Sequence, residues 1–356
     1  MARSETRKGK ARDTTGALAV PPDQLVRQMC MGLRTSQALF VAVSLGIPDL
    51  LADGSKTSSE LATSTQTHAP SLRRLMRALV ALGVFVEMDG DRFSLAPAGE
   101  LLRSAVPGSQ RSIVLFLAGP ARWQCWSDLL RSVRSGEPAA DRILGMPLFD
   151  YYALHSEESQ IHDEAMAAFS SSVATAFLTA YDLSPYRLAV DVGGGSGQLL
   201  AQILCAYPQL SGVLFDLPNV VGQAGRTLTE AGVADRCRVH AGSFFETLPS
   251  GGDLYLLKNV LHDWDNEHAE AILGKCRAAM PRDATLLVLD RLLPERAEHG
   301  RKLDEHLIDL EMLTVAPGGR ERTQREMQAL LEGTGFGVNS VLTTASSLSI
   351  IEGRPA

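Results

Sequence analysis

The second half of the chain alternates short apolar runs with longer segments of helical spacing. From Tyr186 onward, each apolar run of five to seven residues is followed by polar or amphipathic sequence. Such alternation predicts a mainly parallel sheet covered by helices on both faces, which is an α/β fold. The last two runs lie close together and predict a closing hairpin with one antiparallel strand. The predicted strands are 187–192, 211–216, 237–241, 253–258, 285–291, 338–344 and 347–352.

The first hundred residues have a different pattern. Helical periodicity covers 21–52, and a short capped helix is predicted at Ser58. Pro70 opens an amphipathic helix that Gly83 ends. Two short apolar runs then flank the turn Asp89-Gly90, which predicts a hairpin. Two helices followed by a hairpin are typical of a winged helix.

Winged helices often bind DNA, and the charge of this segment bears on that alternative. Residues 55–105 carry six basic and five acidic side chains, and the whole chain has a net charge of −7. This balance is weak for phosphate binding. The sequence therefore favours a platform for self-association over a DNA-binding regulator.

Residues 106–180 have mainly helical spacing and hold an unusual share of the aromatic residues. Most such side chains form core, but some could line an apolar substrate pocket. The candidates for this pocket are Trp123, Trp126, Phe149, Met166 and Met312.

Length and composition limit the remaining classes of protein. A chain of 356 residues favours two domains. Five scattered cysteines without a C-x-x-C pair favour reduced thiols and a cytoplasmic location. No apolar run has membrane-spanning length. The basic first 19 residues lack the apolar core of a secretory signal, so 1–20 is predicted to be a disordered tail.

The most informative segment is the glycine-rich turn after the first strand of the predicted sheet. Leu188-Ala-Val-Asp191-Val-Gly193-Gly-Gly195-Ser-Gly197 joins a buried strand to a helix. The spacing Gly-x-Gly-x-Gly differs from the dinucleotide fingerprint, in which the third glycine comes one residue later. A carboxylate at Asp191 would repel a phosphate but could pair with an ammonium. Asp191 could instead be a simple strand-end cap.

A second carboxylate follows the next strand. Val213-Leu214-Phe215-Asp216 ends in an acid 25 residues after Asp191. In nucleoside-binding α/β folds this position holds the ribose hydroxyls. With this pair of acids, the chain resembles a class I S-adenosylmethionine-dependent methyltransferase.

A candidate base follows the fourth predicted strand. His262 lies in Leu261-His-Asp-Trp264, just past the carboxyl end of that strand, where open α/β sheets bind ligands. Asp290 ends the next strand, and Glu321 lies in Pro317-Gly-Gly-Arg-Glu-Arg-Thr323. One imidazole with two possible carboxylate partners makes a general-base site plausible.

Three segments together resemble the plant-type small-molecule O-methyltransferases, including the bacterial enzymes that tailor antibiotics. They are 190–195, 261–264 and 317–323, and the likeness extends over about 25–356. It implies a homodimer with a winged-helix dimerisation domain at 21–105 and a helical linker at 106–180 that contributes to the substrate pocket. It also implies a Rossmann-like, seven-stranded catalytic domain at 181–356 that binds S-adenosylmethionine and releases S-adenosylhomocysteine.

The resemblance also implies roles for individual residues. Asp216 would hold the ribose, and Leu217 and Phe244 would enclose the adenine. His262 would be the base, with Asp290 and Glu321 beside its imidazole. The other implied cofactor contacts are Asp191, Gly193, Gly195, Ser243, Lys258, Trp264, Met166 and Ser170.

Two positions depart from the family pattern. Ser243 stands where relatives usually carry an acid, so its contact with the adenine amino group would be weaker. Asp290 stands where Glu is common, and its shorter side chain puts its bond to His262 in doubt.

The expected reaction is methyl transfer to a hydroxyl, favoured to be phenolic, of an aromatic small molecule in secondary metabolism. A phenol is mostly protonated at neutral pH, so removal of its proton by His262 would assist attack. We expect no metal, nucleic acid or membrane partner. N-methyl transfer, or use of the cofactor without transfer, remains open on the same scaffold.

Overall fold

The computed structural model describes residues 20–356, so the predicted tail lies outside the described residues except for Val20. Sixteen helices and twelve strands are assigned in this part of the chain. The helices are α1 Pro22–Ser44, α2 Ile47–Leu50, α3 Ser58–Thr65, α4 Ala69–Ala81, α5 Pro97–Glu100, α6 Arg111–Ala118, α7 Pro120–Ser127, α8 Leu129–Ser135, α9 Ala139–Ile143, α10 Leu148–Leu154, α11 Ser156–Ala180, α12 Gln198–Ala206, α13 Ala224–Glu230, α14 Asn266–Ala279, α15 Leu303–Val315 and α16 Gln324–Gly333. The strands are β1 Lys56–Thr57, β2 Phe85–Met88, β3 Arg92–Leu95, β4 Leu188–Val192, β5 Ser211–Asp216, β6 Cys237–Ala241, β7 Leu254–Lys258, β8 Thr285–Asp290, β9 Leu292–Leu293, β10 Arg322–Thr323, β11 Phe336–Thr343 and β12 Ser349–Pro355.

The seven predicted strands form one sheet in the order β11-β12-β8-β7-β4-β5-β6. Pairing is parallel except along β12, which runs antiparallel to both β8 and β11. The α/β fold and the closing hairpin are therefore confirmed. Two apolar clusters cover the two faces of the sheet, as expected when parallel strands are buried on both sides.

The order of the strands places the crevice. From β4 the chain proceeds through β5 to β6 on one side, and β7 and β8 then follow on the other side of β4. Ligands bind where such a sheet reverses its strand order, outside the carboxyl ends of the strands. The glycine turn follows β4 and the His262 segment follows β7, so both lie at this point.

The N-terminal region has the predicted winged-helix layout. Thr57 caps α3 through a capping box with Glu60, and β2 and β3 form the predicted hairpin, which β1 extends to three strands. The first half of α1 exposes large apolar side chains, as a surface for self-association would. These are Val26, Met29, Met31 and Leu33.

Helices α6 to α11 occupy the predicted linker, and α11 leads into the sheet. It contacts α6 on one side and α12 on the other, so it joins the linker to the catalytic region. The gap between α5 and α6 and the end of α11 fall close to the expected boundaries at 105/106 and 180/181. These boundaries remain predictions as domain limits. No helix within residues 20–356 is both long and apolar enough to cross a membrane.

Candidate active site

The turn after β4 contains two glycines that could not carry a side chain. Gly193 has φ +71°, and a Cβ there would lie 2.8 Å from Cγ2 of Val260. A Cβ on Gly194 would lie 2.3 Å from Cδ1 of Leu214. Gly195 also has a positive φ of +61°, but a Cβ on it would meet no described atom within 4 Å. The turn is thus packed against the protein at Gly193 and Gly194 and open at Gly195.

Asp191 lies beneath this turn and is 1% exposed. Its Oδ2 has no hydrogen-bond partner among the described residues. Burial raises the pKa of Asp191 to about 7, against the opposing charge of Lys258 and with a further increase from Asp216. A buried carboxylate oxygen without a partner is a place where a cationic or hydrogen-bonding ligand group would be stabilised.

Asp216 ends β5 and connects the second strand to the glycine turn. Its Oδ2 accepts a hydrogen bond from the backbone N–H of Gly195 at 2.8 Å, and its Oδ1 accepts one from Leu217 at 2.7 Å. Burial raises the pKa of Asp216, although both backbone bonds oppose the increase. Leu217 is 43% exposed, so one face of this apolar side chain is available at the mouth of the crevice.

Phe244 and Trp264 form an aromatic wall beside the turn. Their rings meet edge to face at 5.9 Å, and Phe245 packs against both. The Phe244 ring lies against Gly193, whose Cβ would be 3.7 Å from Cε1 of Phe244. The Oγ of Ser243 accepts a hydrogen bond from the backbone N–H of Phe245 at 3.3 Å. Ser243, Phe244 and Trp264, three of the residues predicted on the nucleoside side, therefore lie together.

Lys258 joins this site to α11. Its Nζ donates a hydrogen bond to Oγ of Ser170 at 3.1 Å. Burial lowers the pKa of Lys258, while the charge of Asp191 opposes the decrease. Met166 lies one turn before Ser170 on the same helix and is half-buried.

His262 lies in a single 3-10 turn, Leu261–Asp263, after β7. Its Nδ1 is 2.9 Å from Oε1 of Glu321, a carboxylate with a fully buried side chain. On the other side of the ring, Nε2 is 3.6 Å from Oδ1 of Asp263. Asp263 was not among the predicted site residues, although it lies within the segment that identified His262.

Opposing effects act on the pKa of His262. Burial alone would lower it, but the charge of Asp263 and the hydrogen bond and charge of Glu321 outweigh burial. The pKa is raised to about 9, with a further contribution from Asp290. The neighbouring carboxylates therefore favour the protonated form of the imidazole.

Asp290 does not make the hydrogen bond that was expected to His262. Neither carboxylate oxygen has a hydrogen-bond partner within residues 20–356, although the side chain is 1% exposed. Burial raises the pKa of Asp290 to about 7, and the charge of His262 opposes this increase. Asp290 thus acts on His262 through its charge, and among the two predicted carboxylates Glu321 supplies the hydrogen bond.

A short parallel pairing places Glu321. Leu292 in β9, two residues after Asp290, pairs with Arg322 in β10, which directly follows Glu321. The backbone N–H of Glu321 donates to Oδ1 of Asp309 on α15 at 2.8 Å. The two carboxylates are brought to one histidine by this register.

Arg322 holds the His262 turn from below and was not predicted. Its guanidinium donates to the backbone carbonyls of Leu261 at 2.7 Å and of Trp264 at 2.9 Å. The backbone N–H of Arg320 donates to the carbonyl of His262 at 2.8 Å. The presence of Arg322 in the segment 317–323, which carries part of the family resemblance, was the only sequence signal available.

Comparison with known proteins identifies the class. A family model described as an O-methyltransferase domain matches residues 126–337, and one described as an O-methyltransferase dimerisation domain matches 28–104. Phenazine O-methyltransferase PhzM of Lysobacter antibioticus is 41% identical over 95% of this chain and 97% of its own. An 8-amino-8-demethylriboflavin N,N-dimethyltransferase of Streptomyces davaonensis is 37% identical over 93% and 95%.

A solved structure gives the same result. The O-methyltransferase NcsB1 from neocarzinostatin biosynthesis, in complex with S-adenosylmethionine and 2-hydroxy-5-methyl naphthoic acid, has a TM-score of 0.77 and 32% identity. The match covers 90% of this chain and 96% of that one.

The chain belongs to the O-methyltransferase family that carries an N-terminal dimerisation domain. It is an S-adenosylmethionine-dependent O-methyltransferase, and the dimerisation domain supports a homodimer. The expectations for fold, enzyme class and cofactor are confirmed.

Proposed function

We propose that the enzyme methylates a hydroxyl of an aromatic small molecule and that His262 is the general base. The observation that carries the proposal is the bond of 2.9 Å between Nδ1 of His262 and Glu321 at the carboxyl edge of the sheet. A carboxylate on Nδ1 holds the proton there when the ring is neutral. The lone pair of Nε2 is then the site that accepts a proton from the substrate.

The residues of the crevice fit S-adenosylmethionine. Asp191 has an unpartnered buried oxygen, and Gly195 leaves space where a side chain would stand. In this proposal Gly193, Gly195 and Asp191 border the methionine part, Asp216 holds the ribose, and the adenine lies among Leu217, Ser243, Phe244 and Trp264. Lys258, at the end of β7, and Ser170 and Met166, on α11, border the cofactor. When bound, the cofactor supplies a methyl group on a sulfonium, which is already activated for transfer.

The protein must also position the hydroxyl. Holding the oxygen in line with the methyl group removes the entropic cost of bringing two reactants together. His262 removes the hydroxyl proton during attack, and Glu321 stabilises the imidazolium that forms. Asp290 adds a further negative charge that acts on the ring.

The relatives indicate the size and class of the substrate. PhzM is named for a phenazine, and NcsB1 was solved with a naphthoic acid. In this chain, Phe116 and Tyr152 line a cavity next to α7, and Trp126 donates to Glu311 on α15. We place the enzyme in the cytoplasm because its five cysteines are free thiols.

The test is methyl transfer from labelled S-adenosylmethionine to a panel of phenols and naphthols, with the product analysed for an O-methyl group. A methylated aromatic ether is expected with the wild-type enzyme. Failure of every hydroxyl compound, together with transfer to aromatic amines, would assign the enzyme to N-methylation, the reaction in the name of the riboflavin relative. Binding of S-adenosylmethionine without methyl transfer to any compound would support the alternative in which the cofactor is held but not used for transfer.

The DNA-binding alternative is disfavoured by the ion pairs of the winged helix. Arg73 and Arg77 on α4 both pair with Glu87 of the hairpin, and Arg73 also pairs with Asp91. These basic side chains are therefore neutralised within the domain. Specific retention of DNA in a gel-shift assay at moderate salt would revive the alternative.

A further inference from the structure

A cavity of about 480 Å³ opens between α1, α6, α7 and α11. Its size is within the range of small-molecule pockets. Its walls combine apolar and charged side chains, including Phe40, Leu115, Phe116, Arg122, Glu158 and Ile161.

Arg122 is the most unusual residue of this cavity because it is a cation with 7% exposure. Its guanidinium lies 4.2 Å from the centroid of the Phe116 ring and forms an ion pair with Glu311. The indole N–H of Trp126 donates to the other oxygen of Glu311. These contacts fix the position of the guanidinium.

One donor of Arg122 is left without a partner. Its Nε is buried and makes no hydrogen bond in the part of the chain that the structure describes. A buried N–H without a partner is costly, and native proteins rarely retain one without a reason. Since Arg122 lines the cavity, a ligand oxygen could satisfy this donor.

Helix α15 connects the cavity to the catalytic histidine. Asp309 on this helix accepts the backbone N–H of Glu321, the partner of His262. Glu311, two residues later, holds Arg122. The charge of Arg122 also acts on the carboxyl group of Asp263, beside Nε2 of His262. Arg122 of the cavity wall is therefore linked through α15 to the partner of His262 and acts by its charge on Asp263.

The charges around the cavity indicate which kind of ligand group could accept a hydrogen bond from Nε of Arg122. Glu311 already neutralises Arg122, so the pair has no net charge to offer an anion. Glu157, Glu158 and Glu164 outnumber the remaining cation, Arg111, along the rest of the wall. A carboxylate would be repelled by these acids, and an ammonium could not accept the N–H of Arg122. A neutral carbonyl oxygen meets both requirements.

We propose that this cavity holds the end of the methyl acceptor remote from the reacting hydroxyl, and that Arg122 donates its Nε–H to a neutral carbonyl oxygen there. This inference rests on the proposed function, because it takes the methyl acceptor to be an aromatic hydroxyl compound. It deepens that function by assigning a second polar group to the acceptor, a ketone, quinone or ester.

The test compares three naphthalenes in binding to the full-length enzyme loaded with S-adenosylhomocysteine. They are 2-naphthol, methyl 6-hydroxy-2-naphthoate and 6-hydroxy-2-naphthoate, and calorimetry measures their dissociation constants. A hydrogen bond from a charged donor predicts that the ester binds about tenfold or more tightly than 2-naphthol. Equal affinities of ester and naphthol, or tighter binding of the acid than of the ester, would overturn the proposal.

The double variant Arg122→Met/Glu311→Gln removes the donor without leaving a buried charge. We expect the preference for the ester to vanish in it, while the affinity for S-adenosylhomocysteine stays at the wild-type value. Arg122→Lys keeps the charge but lacks Nε, so it should also lose the preference for the ester. It replaces the double variant if that variant does not fold. A preference that persists in either folded variant would disprove the role of Arg122.

The matched control is Arg142→Met/Asp128→Asn, which removes an ion pair of the same helical region outside the cavity. It should keep the preference for the ester. Methyl transfer to the same probes is measured separately, so the two proposals can fail independently. Tighter binding of the ester without methyl transfer would support the cavity assignment and contradict the proposed reaction. Methyl transfer without tighter binding of the ester would support the reaction and contradict the cavity assignment.

Discussion

The cofactor side and the acceptor side of the site are assembled in different ways. On the cofactor side, the functional residues end strands or follow them directly, and the backbone itself makes many of the contacts. The N–H groups of Gly195 and Leu217 both bond to Asp216. On the acceptor side, His262 and Glu321 are 59 residues apart, and Arg122 and Glu311 are 189 residues apart.

This difference has a functional consequence. The cofactor side is fixed by the parallel sheet, and changes there should affect binding of the nucleoside. The acceptor side depends on the β9–β10 pairing and on α15, so changes there should affect turnover or choice of substrate while cofactor binding remains. The following variants separate these two effects.

The largest effect is expected for His262→Ala. Loss of the general base should lower kcat by about 10²- to 10⁴-fold, with an unchanged dissociation constant for S-adenosylhomocysteine. Turnover with labelled cofactor and calorimetry give the two values, and His299→Ala, at an exposed histidine, is the control. If His262→Ala turned over as fast as the wild type, His262 would not be the general base, and positioning of the substrates would be the main source of catalysis.

Asp216→Ala should have the opposite profile. Loss of a charged hydrogen-bonding group should weaken binding of S-adenosylhomocysteine by about 10- to 100-fold. At saturating cofactor, kcat should fall much less than in His262→Ala. Thermal unfolding checks that the glycine turn survives without its two bonds to Asp216. A variant that binds the product normally but has lost turnover would break the distinction between the two sides.

A third experiment examines the link between Glu321 and His262 by pH. The pKa of His262 is raised to about 9, so kcat/KM should increase with pH until the free imidazole has lost its proton. In Glu321→Gln the loss of the carboxylate should move this inflection down by about one pH unit or more. An inflection at the same pH in both enzymes would mean that His262 does not control the profile.

The sequence could predict the cofactor side because its signals are local. An apolar run, an acid and a glycine turn identify β4, Asp191 and the crevice without knowledge of distant residues. The position of His262 was predictable for the same reason. Its partner could be narrowed to Asp290 or Glu321, but the choice depends on the pairing of Arg322 with Leu292, which no local pattern encodes. The ion pair of Arg122 and Glu311 had no sequence signal at all.

A smaller effect, on stability, is expected for Asp290→Asn. The folded protein raises the pKa of Asp290 to about 7 from an ordinary value of 3.8, so native Asp290 retains its proton longer than the unfolded chain. The stabilisation that the folded state gains from protonated Asp290 is fully present below about pH 4 and is lost as pH rises through 7. The His262 cation offsets part of the loss. Asparagine does not titrate, so the variant should match the wild type near pH 4 and melt several degrees higher at pH 8. A difference in melting temperature that does not change with pH would contradict this account of Asp290.

The smallest effect is expected on the cofactor side, at the residue that departs from the family pattern. Ser243 is next to Phe244 at the proposed adenine site, and its hydroxyl is bonded to the backbone N–H of Phe245. Ser243→Asp adds a charged acceptor for the adenine amino group, which should tighten binding of S-adenosylhomocysteine a few-fold, since exposed charge-assisted bonds contribute modestly. The matched change Ser243→Asn keeps the shape without the charge and should leave affinity near the wild-type value. Because this site is built from local backbone, kcat at saturating cofactor should stay constant in both variants. A change in kcat would mean that the adenine wall also positions the methyl acceptor, and that the two sides of the site are coupled.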